Sequence, residues 1–208
     1  MPNCCSTVVA IMARKENEVA VKRLKVLREI LANGPEAVRG NSSKNWIGNY
    51  LIQLGIDPDA FPCRSFIQDV SDGLDWSKGF YFFKLYTEDA WHPAYEAWDA
   101  MMNAPACEGL SYVLEAEEPG GNLYVNTDRD GIAFIEAYRL DFVGYDNRAQ
   151  RFNSDVLYFE DLESYLQAVK SIFGVEAKTF KESREKLNTL WEENPERFEL
   201  ISIGEFTE

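Results

Sequence analysis

Hydrophobic positions change rhythm along this chain, and the changes predict its elements. From Cys5 to Ala13 the residues are apolar and β-branched enough for a strand, whereas from Asn17 to Ala32 the apolar positions fall at Ala20, Leu24, Leu27 and Leu31, one face of a helix. Asn33-Gly34-Pro35 ends that helix, because Gly relaxes the backbone at a C-terminus and Pro cannot continue it. From Glu36 to Arg64 the pattern turns irregular, with a short helix around Trp46 to Gly55 and two prolines in Asp57-Pro-Asp-Ala-Phe-Pro62; it reads as an insertion packed against the main domain. A short strand at Phe66-Ile-Gln-Asp-Val and a long one from Gly79 to Tyr86, joined through the turn residues Asp72-Gly73, form an antiparallel hairpin. Pro93 opens a second helix that runs to about Asn103, with Tyr95, Trp98 and Met102 on a core-facing stripe, and Leu110 to Glu117 is the next strand.

That order is strand, helix, strand, strand, helix, strand: a ferredoxin-like split βαβ core with an antiparallel sheet. Beyond it, the pattern predicts a long strand from Ile132 to Val143, another at Val156-Leu-Tyr-Phe, helices from Leu162 to Phe173 and Phe180 to Glu193, and a last strand from Phe198 to Ile203. The simplest division is α+β throughout: a core at residues 1–147 with its insertion at 36–64, and an α+β appendage at 148–208 that extends the first sheet.

Composition narrows the class. With 208 residues, 46% hydrophobic and 13% aromatic, the chain buries a full core and is not disordered. Its apolar runs are too short to cross a bilayer, and Met1-Pro-Asn-Cys-Cys-Ser lacks the basic start of a secretory signal, so the expected location is cytoplasmic. Cys4, Cys5, Cys63 and Cys107 form no knuckle spacing and read as free thiols; a Cys63 or Cys107 nucleophile paired with His92 has no local signature.

The net charge of −14 is unevenly spread. Residues 1–50 carry eight Lys/Arg against four Asp/Glu, while 51–150 carry six against eighteen and 151–208 seven against thirteen. Such a field repels a nucleic-acid backbone and favours a basic protein partner, or simply keeps the chain soluble.

Candidate chemistry is sparse. Asn126, Asp128 and Asp130 before Gly131 mimic the opening of a calcium loop, but Ala137 stands where the bidentate Glu belongs, so Asp130-Gly131 is read as a hairpin loop that binds no metal. Glu117 and Glu118 could supply an acid or base, yet neighbours on a strand face opposite ways. Asp69, Asp72 and Asp75 read as solvated turn carboxylates. His92, the one histidine, could cap its helix or accept a proton. Gly-rich nucleotide loops are absent. Phe80, Tyr81, Phe82, Phe83 and Tyr86 would suit base stacking, without the basic signature that RNA-binding sheets carry.

The Met1-Pro-Asn opening with Cys5-Ser6, the Trp91-x-Pro93 helix start, and Tyr112 followed by Glu117-Glu118-Pro119-Gly120 together resemble the YubB-type ferredoxin-like proteins of bacterial plasmids and phages. The resemblance covers residues 1–145; Cys4 stands where that family has Trp, and nothing in the segment from Arg148 on matches. It implies a ferredoxin-like fold and a mobile-element origin, and no catalytic residue.

The expected protein is therefore a cytoplasmic, non-enzymatic accessory module without cofactor, acting on a basic partner through an acidic surface, for instance by blocking a nucleic-acid-binding host protein. Two alternatives stand beside it: a small enzyme using Glu117, Glu118 and His92, and a single-stranded nucleic-acid module.

Overall fold

The computed structural model describes residues 4–36, 38–40, 42–118 and 123–207. The Met1-Pro2-Asn3 opening and Pro119-Gly120-Gly121 lie outside the described residues. The chain divides into two units, Met1–Phe134 and Ile135–Glu208. Both are α+β, and the described residues hold five α-helices and two antiparallel sheets. None of the described helices is long and apolar enough to cross a membrane.

In the first unit, β1 (Cys4–Arg14) leads through Asn17, whose side chain accepts from the Ala20 amide, into α1 (Glu18–Asn33). The insertion contributes α2 (Ile47–Gln53), which is drawn inward by buried Ile47, Tyr50 and Leu51. Then come β2 (Ser65–Val70), β3 (Asp75–Ser77), β4 (Phe80–Ala90), α3 (Tyr95–Met102), β5 (Leu110–Glu118) and β6 (Leu123–Asn126). The sheet order is β2-β4-β1-β5-β6, with β3 beside β4, and every pairing is antiparallel.

Thus β1 sits centrally, flanked by the strands before and after α3. Cys5, Val9, Ile11 and Ala13 of β1 join Leu24, Leu27 and Leu31 of α1 and Ala97, Trp98 and Met101 of α3 in one core. Val8, Ala10 and Met12 face the other way. There Ile132 and Phe134 pack on Ala10, Met12 and Phe82.

The second unit runs β7 (Tyr138–Asp146), β8 (Arg151–Phe159), α4 (Leu162–Phe173), α5 (Phe180–Glu193) and β9 (Phe198–Glu205). Its sheet, β8-β7-β9, is separate from the first. Leu140, Phe142, Tyr165, Val169, Leu187 and Phe198 form its own core.

Several expectations change. The strand expected from Ile132 begins only at Tyr138, because the Asp128 carboxylate accepts from the amides of Ala133 (2.6 Å) and Phe134 (2.9 Å) and pins that stretch as a turn. Asp130-Gly131 is consequently no hairpin loop: β6 pairs with β5, and its C-terminal flank joins no ladder. The boundary expected at 147/148 falls instead at 134/135, and the C-terminal part forms its own sheet rather than extending the first, since β7 pairs with β8 and β9. The second helix starts at Tyr95, with Ala94 as its N-cap, two residues beyond Pro93.

Candidate functional site

The antiparallel register places two contrasting surfaces back to back at one end of the first sheet, where β1 begins and β4 ends. On the helix side, Ser65 of β2, Asp89 of β4 and Cys5 of β1 lie in one row, with Thr87 and Thr7 in the next. Asp89 is 2% exposed and the other four are fully buried. The hydroxyl of Thr7 donates to Asp89 Oδ2 at 2.5 Å and that of Thr87 donates to the same oxygen at 3.2 Å. Asp89 Oδ1 and the Ser65 hydroxyl lie across a strand pair and have no hydrogen bond in good geometry.

Burial pushes the Asp89 carboxyl above the ordinary carboxylate range, although the Ser65, Thr7 and Thr87 hydroxyls and nearby His92 work the other way. A hydrogen bond between Oδ1 and the Ser65 hydroxyl would satisfy both unpaired atoms, with Ser65 donating to the ionised carboxylate or accepting from the neutral acid; it is burial that tips the group toward the neutral form. Just past this cluster Trp91 has a φ of 75°, a strained conformation for a bulky residue, and remains 56% exposed.

On the opposite side of the same strands, Phe66, Glu88, Ser6, Glu117 and Tyr124 form one row across β2, β4, β1, β5 and β6. Asp69, Tyr86, Val8, Glu115 and Asn126 form the next, Asp69 reaching this face through a bulge in β2. Asp69 and Glu88 are exposed there beside Phe66 (36% exposed) and Tyr86 (38% exposed), whereas Glu115 and Glu117 are half-buried, each with its Oε2 shut off from solvent. Glu88 is exposed and receives a hydrogen bond from Gln68 at 3.1 Å. Further along this face Lys84 lies 4.6 Å from the centre of the Phe134 ring.

The residues singled out from sequence are dispersed. Glu117 faces the acidic side, whereas Glu118, opposite Leu123 and 6% exposed, faces the helix side. His92 is exposed, and its Nδ1 lies 2.9 Å from the Pro93 carbonyl oxygen; that oxygen can only accept, so Nδ1 carries the proton. Asn126 accepts from the Asp128 amide, Asp128 is buried holding two amides, and Lys78 donates to the Asp130 carbonyl oxygen. These three residues build a turn, and no group of three or more His, Cys, Asp or Glu among the described residues could hold a metal.

The thiols are likewise unsuited to attack. Burial pushes Cys5 up to about 11 and Cys63 up to about 12, and raises Cys107. Cys4 is exposed. Sequence reading missed Asp89: the Thr87-Glu88-Asp89 alternation that continues an apolar strand inward was its one visible signal.

No family model, curated protein or solved structure matches this chain.

Proposed function

We propose that this chain is a non-enzymatic accessory protein, with a ferredoxin-like core of the YubB type, that binds a cationic segment of a partner protein on the acidic and aromatic end of its first sheet. The central β1 and the order β2-β4-β1-β5, with α1 and α3 contributing to the same core, support the ferredoxin-like reading. The observation that carries the function is the exposed pair Asp69 and Glu88 beside the exposed rings of Phe66 and Tyr86 in two adjacent rows of the sheet. Carboxylates accept the fork of an arginine, and an aromatic face attracts its cation. The same charges repel phosphates, which argues against a nucleic-acid ligand.

Nucleic-acid-binding proteins present Lys and Arg where phosphates sit. A carboxylate face of this kind would compete for that groove, which fits a cytoplasmic, mobile-element inhibitor. Fluorescence anisotropy with a labelled nona-arginine peptide tests the reading. Glu88→Lys with Tyr86→Ala should weaken binding at least tenfold. Glu192→Lys with Glu193→Lys, which removes more acidic charge elsewhere, should change it little; equal losses from both pairs would refute a specific face.

A further inference from the structure

Helix α1 carries a second unexplained surface, independent of the acidic one. Its buried side holds Ala20, Leu24, Leu27 and Leu31, but Val19 and Val26 on the outer side are each 59% exposed. They border a shallow groove of about 250 Å³ reaching Ile30, Leu54 and Ala106. Two exposed valines seven residues apart form a stripe along a helix, and an apolar stripe in water marks a contact surface.

Charge along the stripe selects its occupant. At 3.6 residues per turn, Lys22 and Glu29 lie on the same flank of the stripe, one turn before and just under one turn after Val26. Among the described residues Lys22 has no ion pair, while Glu29 is bonded by Arg28 and stays exposed. An apolar centre with a cation on one end and a carboxylate on the other is complementary to itself when turned end for end. This is what a twofold contact requires.

We propose that α1 packs antiparallel against α1 of a second copy of this chain, about a twofold axis at Val26. Val26 then meets its counterpart, Lys22 of each copy faces Glu29 of the other, and Val19 lies toward Asn33 of the other. The helix is about 24 Å long, so one such face falls short of the roughly 800 Å² per partner of a standard interface. The dimer is accordingly weak and concentration-dependent.

Sedimentation equilibrium of the full chain over about 5–500 µM tests this. The mass should rise from 23.8 kDa toward twice that value. Val26→Glu, which places two carboxylates on the axis, should hold the chain monomeric. Lys22→Glu and Glu29→Lys should each weaken self-association at least fivefold, since each puts like charges face to face. Mixing those two variants should restore a heterodimer. Monomer throughout for the unaltered chain, a dimer that survives Val26→Glu, or a mixture that stays monomeric would each overturn the proposal. Val26 and Lys22 are exposed, so the variants leave the core untouched.

Discussion

Glu88 and Asp89 are consecutive residues on β4, yet they occupy opposite chemical worlds. Glu88 faces water among other carboxylates and aromatics, while Asp89 lies 2% exposed beneath the start of α3, among hydroxyls and a thiol. A strand turns successive side chains to opposite faces, so one residue step separates a group that can meet a partner from one that can only serve the fold. Asp146 of the second unit extends the contrast. It is fully buried too, yet its carboxylate accepts from the Arg148 and Ala149 amides at 2.7 and 3.1 Å and pairs with the Arg148 guanidinium at 3.0 Å. Burial opposes its charge, but these donors together outweigh burial and hold it below the ordinary range. Burial alone therefore does not decide a carboxyl's state; the charge and number of its donors do.

The largest expected effect comes from removing the well-served carboxylate. Asp146→Ala should cost the second unit about 2–4 kcal/mol, because two amides and a guanidinium lose their acceptor. Amide hydrogen exchange of residues 135–208 in increasing urea reads that unit directly. Because its folded pKa is depressed, the stability Asp146 supplies is present above the unfolded value of about 3.9 and lost as pH falls through the folded one. No loss of stability in the alanine variant would undo the contrast.

Asp89 should behave in the opposite sense. Its raised pKa makes its contribution complete below about pH 3.9 and lost as pH rises through the folded pKa. Asp89→Asn keeps an acceptor for Thr7 and Thr87 and offers Ser65 a donor, mimicking the neutral acid. It should leave the first unit's stability unchanged or higher at pH 8 and flatten its decline with rising pH, whereas Asp89→Ala should cost about 1–3 kcal/mol. A steeper decline in the asparagine variant would mean that the carboxylate is ionised after all.

Smaller still is the strain beside the cluster. Trp91→Gly should stabilise the first unit by about 1 kcal/mol, since glycine accepts a φ of 75° freely and Trp91 is already 56% exposed. Destabilisation would show that Trp91 is held by packing instead. Glu88→Lys should move thermal stability by less than about 0.5 kcal/mol, as expected of an exposed residue.

Elements with strong periodicity were legible in the sequence. Both C-terminal helices fall where their apolar spacing and caps put them, Leu162–Phe173 closing on Gly174 and Phe180–Glu193 starting after Thr179. The unit boundary was not legible, because Ile132 and Phe134 alternate like a strand while a single carboxylate five residues back ties up the backbone amides that a ladder would need. The site was half legible. Opposite facing of Glu117 and Glu118, and the shared face of Tyr86 and Glu88, follow from strand geometry, but bringing Asp69 beside Tyr86 depends on a bulge in β2, and a bulge shifts register without a mark in the sequence. Asp89 was invisible as a site because its partners Thr7, Ser65 and Thr87 come from three strands that only the fold brings together.

On the proposed function, the exposed Asp69 and Glu88 with their neighbouring aromatics, and not the chain's overall acidity, recognise a cationic partner. Anisotropy of a labelled nona-arginine peptide at about 0.15 M salt, compared between the unaltered chain, Glu88→Lys with Tyr86→Ala, and Glu192→Lys with Glu193→Lys, separates the two. A loss of at least tenfold confined to the first pair is the predicted result. Equal weakening by both pairs, or tighter binding of a labelled oligothymidine than of the peptide, would contradict it.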